Sequence, residues 1–287
     1  MSTPTLVVTG STGSTRSTRS TGRLGGRAAR RLSEAGVAQR PLVRGPARAP
    51  AVLGAEVVRP SFGDVDAARA PVGARTVLMV SGSEDVERVA KHRSFLDAAV
   101  DAGVEHIVCT SSYGAAPEAT STHARDHWAT EEHLRASGLA WTSLRDKLYR
   151  DFFPLRAGED GVIRGPAGQG RTAAVALDDI ADVATAVLLR RGDHAGRTYD
   201  LTGPAALTLD DVAAALTETT GRPVRYVEET LEEAYVSRAG YGAPDWEVDA
   251  WVSTYTAIAA GELAGVSGDV ATITGREPRS LEDVLAA

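Results

Sequence analysis

Apolar residues in the first half of the chain fall in short unbroken runs, separated by longer stretches with helical spacing. Residues 6–8, 41–44, 54–58, 76–80, 106–110 and 140–144 read as buried strands. Residues 24–35, 85–102 and 127–137 read as helices, each stopped by a glycine at 36, 103 or 138. Strands alternating with helices predict a parallel sheet with crossover helices. The expected fold class is α/β, a Rossmann-like doubly wound parallel sheet.

The second half changes character. Residues 175–177 read as a short strand, and Asp178 and Asp179 as caps for a helix over 180–190. A strand follows at 198–201, then a helix over 209–219 entered through Thr208, then a strand at 224–227. Residues 231–287 are mostly helical in pattern. No stretch is long or polar enough to be a linker. The expected organisation is a nucleotide-binding domain over 1–150 and a smaller α/β substrate lobe over 151–287, one structural unit with the chain crossing between lobes. The lobe is expected to close over the C-terminal edge of the sheet, where ligands of open α/β sheets bind.

The junction after the first strand carries the first chemistry. Thr9-Gly10 is followed by four tandem triplets, Ser-Thr-Gly, Ser-Thr-Arg, Ser-Thr-Arg and Ser-Thr-Gly, over residues 11–22. With three triplets (nine residues) removed, the remainder reads T-G-S-T-G-R-L-G-G, a GxxGxxG fingerprint. Such a loop between strand and helix receives a dinucleotide diphosphate on the helix N-terminus. Gly10 makes the turn; Gly22 and Gly25, or Gly22 and Gly26, open the helix, with Ser20, Thr21, Arg23 and Leu24 beside them and Ser81 after the fourth strand. Residues 11–21 must loop out. Two outcomes are open: the loop bulges into solvent, with Arg16 and Arg19 near the phosphates, or it folds across the crevice and weakens binding. A replication-slippage scar, tolerated because loop length costs little stability, is the third reading.

Arg44 ends the second strand and Arg48 follows. In this architecture that position faces the adenosine ribose, where arginine selects a 2′-phosphate. The expected cofactor is NADP(H). The alternative is a pair of solvated arginines.

Bulk properties narrow the class. The chain has 287 residues, 43% of them hydrophobic, and a net charge of −7. That charge argues against a nucleic-acid partner or an anionic membrane surface. No apolar run reaches the roughly 18 residues of a membrane span, and the N-terminus has no basic region followed by an apolar one. One cysteine, Cys109, excludes an intrachain disulfide and fits a reducing compartment, so the expected location is cytoplasmic. Abundant Ala, Arg, Gly and Asp fit a GC-rich bacterial genome. No Cys/His or His/carboxylate spacing indicates a metal, and no GxSxG elbow is present.

Taken together, several segments resemble the NmrA-like family of atypical short-chain dehydrogenases. They are Val8-Thr9-Gly10 through Gly25, Leu42-Val43-Arg44, residues 97–104 (DAAVDAGV), Thr110-Ser111-Ser112, residues 127–139 (HWATEEHLRASGL), Ser143-Leu144-Arg145, residues 179–184 (DIADVA) and residues 199–203 (YDLTG). Within it the chain looks most like bacterial NAD(P)H:quinone oxidoreductases of the type 2 kind. The resemblance covers essentially the whole chain and implies a Rossmann domain, a small C-terminal substrate lobe and a bound nicotinamide nucleotide. The family also includes regulators that bind NADP without turnover. Two departures stand out: the loop insertion, and Lys147 where relatives carry Asn or Gly in a loop lining the substrate pocket. Lys147 is either a charge and an acid or base in that pocket, or a surface lysine at a loop start.

Typical short-chain dehydrogenases use Ser, Tyr and Lys, with Tyr and Lys spaced YxxxK on one helix face so that the lysine lowers the phenol's pKa. Here the matching helix reads His127-xxx-Glu131, so that mechanism does not carry over. Quinone reductases of the family also lack it, because hydride transfer to a quinone gives a stabilised phenolate. The catalytic candidates are Tyr113, Lys147, Ser111 and His127. Ser111, Ser112 and Tyr113 leave the fifth strand, either to bond a substrate oxygen or to close a turn. His123 and His127 with Asp126 read as a proton shuttle or as a helix-start network. Tyr149, Phe152, Phe153, Trp246 and Trp251 either wall a flat aromatic pocket or pack a core. The expected function is NADPH-dependent reduction of a quinone or related conjugated carbonyl. The rivals are a redox-neutral isomerase, cyclase or hydrolase and a non-catalytic NADP sensor. The expected partners are a small aromatic or quinone-like substrate and a second copy of the chain in a homodimer.

Overall fold

The computed structural model describes residues 6–10, 21–41, 73–82 and 84–286, the side chains of 21–23 excepted. Residues 11–20, Arg44, Arg48 and the expected strand at 54–58 lie outside the described residues. The described strands are β1 (Leu6–Val8), β2 (Gln39–Pro41), β3 (Thr76–Met79), β4 (His106–Ser112), β5 (Ala140–Asp146), β6 (Val162–Gly165), β7 (Arg197–Leu201) and β8 (Arg225–Glu228). The helices are α1 (Thr21–Glu34), α2 (Arg88–Asp101), α3 (Thr122–Ala136), α4 (Phe153–Arg156), α5 (Leu177–Leu189), α6 (Leu209–Thr220), α7 (Leu231–Ala239), α8 (Asp245–Ala259), α9 (Asp269–Thr274) and α10 (Leu281–Ala286). Among the described residues no helix is long and apolar enough to cross a membrane.

Two compact units emerge. The first comprises the described residues of Met1–Ser111 with Asp126–Arg145 and Ile180–Tyr199; the second comprises Ser112–Arg125, Asp146–Asp179 and the described residues of Asp200–Ala287.

The described residues of the first unit form a six-stranded sheet of order β2-β1-β3-β4-β5-β7, the Rossmann-like doubly wound architecture. β1 runs parallel to both neighbours, pairing Val7 with Arg40 on one side and with Val77 on the other. The chain therefore leaves β1 in one direction to reach β2 and in the other to reach β3, and the order reverses between β1 and β3. That reversal is the switch point at which open α/β sheets bind ligands. Val7, Val77, Met79, Phe95, Leu96, Ile107, Cys109 and Leu134 pack one face of the sheet. Strands buried on both faces need continuous apolar runs, which is why they are legible as such.

The second unit holds a two-stranded parallel sheet, β6 with β8, in register Ile163 to Tyr226. Its core gathers Phe153, Ile163, Leu209, Val212, Leu216, Tyr255 and Ile258, with Leu281 from α10. α6 begins with a reciprocal capping box between Thr208 and Asp211 and ends at Gly221 in the left-handed region.

Several element boundaries differ from the sequence expectation for identifiable reasons. β2 begins two residues early: Gln39 is buried and donates its amide to Ala29 O at 2.5 Å, a bond to α1 that places a polar residue inside the layer. α3 begins at Thr122 rather than at 127, and Ser253 accepts the Thr122 N–H at 3.2 Å. Residues 175–177 are not a strand. Val175 makes a single bridge to Tyr149, and α5 begins at Leu177. The Leu177 N–H is taken by the carboxylate of Asp151 at 2.9 Å, while Asp179 accepts from the Arg279 N–H at 2.8 Å. The helix thus draws on a remote cap. β6 escaped the sequence pattern because its four residues become a strand only through their pairing with β8.

Candidate functional site

At the switch point, threonines hold the strand ends. Thr9 extends the β1 ladder by donating its N–H to Leu78 O at 2.9 Å, and its Oγ1 accepts the Val80 N–H at 2.8 Å. Thr110, on β4, accepts the Ser81 N–H on Oγ1 at 2.9 Å, and the two hydroxyls lie 2.8 Å apart. Gly10 turns the chain with φ +68°, a conformation that costs glycine least. A Cβ on Gly25 would lie 2.5 Å from Thr9 O and 2.8 Å from Gly10 O, so α1 starts in backbone contact with the strand-end turn. No acidic residue stands in the first turn of α1.

Among the described residues this is the cradle a diphosphate requires: helix amides at the crevice, a positive helix terminus, and a glycine, Gly25, where helix and strand-end turn meet. The residues present fit a nicotinamide dinucleotide. Of the cofactor group expected from the sequence, Gly10, Gly25 and Ser81 come together here. Leu24 is buried and offers only its backbone. Thr21, Gly22 and Arg23 form the first turn of α1, their side chains outside the described residues, as are Ser20, Arg44 and Arg48 altogether.

Beside the strand ends lies a closed ionic cluster. Ser111 donates its hydroxyl proton to Glu131 Oε1 at 2.6 Å. Arg145 grips the same carboxylate through Nε at 2.9 Å and Nη2 at 2.7 Å, and Arg135 adds Nη2 at 2.7 Å. Glu131 is 1% exposed. Burial pushes its carboxyl up, but hydrogen bonds from Arg145 and Ser111 and the charges of Arg145 and Arg135 outweigh it and hold it below its ordinary range. Ser111 is thereby committed to the protein.

His127 is buried on α3. Its Nε2 lies 2.9 Å from Arg88 Nη2, and a guanidinium only donates, so Nε2 accepts and the ring proton sits on Nδ1. Asp126 lies 4.0 Å from Arg88 Nη1. The partner the fold gives His127 is therefore an arginine from α2, a residue the sequence does not mark. Nearby His92 accepts the Gly82 N–H at 3.0 Å.

The second unit holds Tyr113 and Lys147 together. Lys147 follows β5 and is 6% exposed, so its reading as a surface lysine does not hold. Its Nζ donates to Leu263 O at 2.9 Å and to Gly265 O, and sits 3.5 Å from the centroid of the Tyr113 ring. Burial pushes its pKa down to about 8 against the opposing pull of Asp200. Burial, then Asp200, raises the Tyr113 phenol. Gly265 has no room for a Cβ beside the Tyr113 hydroxyl.

The aromatic residues divide. Phe153 is buried in the unit's main core with Tyr255. Tyr149 is half-buried, donates to Asp146 Oδ2 at 3.1 Å and meets the half-buried Phe152 edge-on at 5.8 Å. Trp251 packs on a small separate cluster of Ala234, Val248 and Val252, with Tyr241 edge-on at 6.0 Å. Trp246 is half-buried in the first turn of α8. Sequence reading passed over Thr9, Thr110, Arg88 and His92. A threonine directly after each apolar run was the available signal for the first two; the others had none.

Comparison with known proteins fits this geometry. A family model described as NAD(P)H-binding matches residues 20–191. The NAD(P)H azoreductase of Xenophilus azovorans is 33% identical over 93% of this chain and 94% of its own. The structure of an NADPH-dependent quinone oxidoreductase from Escherichia coli in complex with NADPH superposes with a TM-score of 0.86, 29% identity and 98% coverage of both chains. That of Citrobacter sp. triphenylmethane reductase with NADP(H) gives 0.83, 29% identity, and 98% and 99% coverage. On the extent of these matches and the cradle at its first βα junction, the chain belongs to the NAD(P)H-binding, NmrA-like family and is an NAD(P)H-dependent oxidoreductase.

Proposed function

We propose that the chain reduces quinones or related conjugated carbonyls with NADPH. One observation carries this reading. Where a Ser-Tyr-Lys relay would protonate an ordinary carbonyl, this protein has Ser111 donating to a buried Glu131 held by two arginines. A carboxylate so held keeps no proton to give. A substrate reduced here must tolerate the charge that arrives with the hydride. A quinone does, because the anion formed is a phenolate, which then takes its proton from water.

Bound NADPH supplies the hydride. The protein's part is to hold and to orient. Amides at the start of α1 face the diphosphate, while Thr9, Thr110 and Ser81 fix the strand ends around it. Arg44 and Arg48 are assigned to the 2′-phosphate. Tyr113 is assigned as the donor to a substrate oxygen, with Lys147 holding its ring rather than reacting. The azo and triphenylmethane substrates in the names of two relatives are also flat conjugated electron acceptors, which supports this class.

The test is a fluorescence titration with NADPH and NADH, followed by NADPH oxidation across benzoquinones, naphthoquinones and azo dyes. Expected are tighter binding of NADPH and turnover best on quinones. Binding without oxidation of any acceptor returns the chain to the sensor class. In Tyr113→Phe, kcat/KM for quinone falls by about tenfold with the KM for NADPH unchanged.

A further inference from the structure

The turn after β3 is held by a histidine whose proton placement its neighbours dictate. His92 is buried on α2. The Gly82 N–H lies 3.0 Å from its Nε2. An amide only donates, so Nε2 carries the lone pair. Nδ1 lies 3.0 Å from Thr130 Oγ1, and Thr130 spends its own proton on Asp126 O at 2.9 Å. Its oxygen is left to accept, so Nδ1 carries the proton. The ring is neutral, in a chain of hydrogen bonds running one way: the Gly82 amide donates to His92, His92 to Thr130, and Thr130 to the Asp126 carbonyl. Burial, then the charge of Arg88, push its pKa down to about 3, so the arrangement persists across the working range of pH.

The turn's other amide is used similarly, since Ser81 N–H donates to Thr110 Oγ1. Both backbone donors of Ser81–Gly82 are spent on side chains of the first unit, and the Ser81 hydroxyl lies 2.8 Å from that of Thr110. What the turn's backbone has left for a ligand is acceptors. A diphosphate needs donors and is served by α1; a ribose hydroxyl is itself a donor. The turn follows β3 at the β1/β3 reversal, where a dinucleotide lies in such folds.

We infer that His92 is a positioning residue for the dinucleotide: through Gly82 it holds the Ser81–Gly82 backbone as an acceptor surface for a ribose of NAD(P)H. The inference rests on NAD(P)H binding by this chain and adds the residue that shapes the turn.

The experiment measures the NADPH Kd by fluorescence quenching for wild type, His92→Leu and His92→Gln, with melting temperatures alongside. His92→Leu is expected to raise the Kd about tenfold or more, while His92→Gln, which keeps an acceptor for Gly82, stays within about threefold of wild type. Long-range ¹H–¹⁵N spectra of the wild type are expected to show the His92 proton on Nδ1, unchanged from about pH 5.5 to 9. Should His92→Leu fail to fold, Thr130→Val carries the same test, with a Kd raised about threefold at an unchanged melting temperature. A Kd within about twofold of wild type in a folded His92→Leu or Thr130→Val overturns the inference, as does a His92 proton on Nε2. Wild type that fails to bind NADPH overturns the cofactor assignment itself, a result distinct from either.

Discussion

The ammonium of Lys147 rests 3.5 Å from the centroid of the Tyr113 ring, with its remaining hydrogen bonds directed to the carbonyls of Leu263 and Gly265. Two carbonyls and a π face use the donors of an ammonium, so these contacts fix the lysine against the phenol ring.

A stability signature follows from its lowered pKa. Folded Lys147 releases its proton near pH 8, whereas an unfolded lysine holds its own to 10.5. Between those values the unfolded state binds more protons, so this group's contribution makes stability rise with pH. The cost of the buried charge is full below pH 8 and relieved above 10.5. Urea unfolding of wild type and Lys147→Met at a series of alkaline pH values should show their stability difference shifting in favour of wild type, by up to about 3 kcal/mol over the whole window. A difference that does not change with pH would contradict the burial of the charge.

Gly25→Ala tests the cradle. Its Cβ would meet Thr9 O at 2.5 Å, backbone against backbone, with no flexible side chain to yield. The start of α1 must move off β1. The expected cost is about 1–3 kcal/mol in urea unfolding, together with a loss of NADPH affinity of about tenfold or more. Affinity equal to wild type would mean that the junction does not receive the diphosphate.

Glu131→Gln tests the ionic cluster. Removing the charge leaves two guanidiniums facing a neutral amide in a buried site, with an expected loss of about 3–5 kcal/mol at neutral pH. The carboxyl titrates below its ordinary value, so the stability it lends is present above pH 4.5 and lost as pH falls through the lowered folded pKa. The variant's unfolding curve should therefore lack part of the wild type's acid dependence. If the two chains denature in parallel as pH falls, Glu131 is not the anchor described.

Cofactor choice is tested at Arg44 and Arg48. Their replacement by alanine, singly and together, should raise the KM for NADPH about tenfold or more and leave that for NADH nearly unchanged. Equal effects on both nucleotides would take the 2′-phosphate away from them. Excising residues 11–19 restores the ordinary glycine spacing, and the direction in which the NADPH Kd moves tells obstruction from clamp.

Much of the first unit was legible because period and punctuation agreed. β1, β3 and β4 are short apolar runs buried on both faces, and glycines end α1, α2 and α3 where expected. β6 was not legible, since nothing local distinguishes Val162–Gly165 from a loop until β8 lies beside it. The cap of α5 was misread for the same reason: Asp178 and Asp179 look like local caps, and Asp151 is remote in sequence.

The sequence by itself determined the α/β class, the glycine junction and the absence of a Tyr-Lys pair, because each depends on residue types at fixed short spacings. Only the tertiary structure decided what the polar residues do. Ser111 is spent on Glu131, His127 on Arg88, and Lys147 on Tyr113 and two carbonyls. Their partners stand far away along the chain. A buried polar group takes its chemistry from whichever donors and acceptors packing brings within reach, and spacing along the chain carries no record of that.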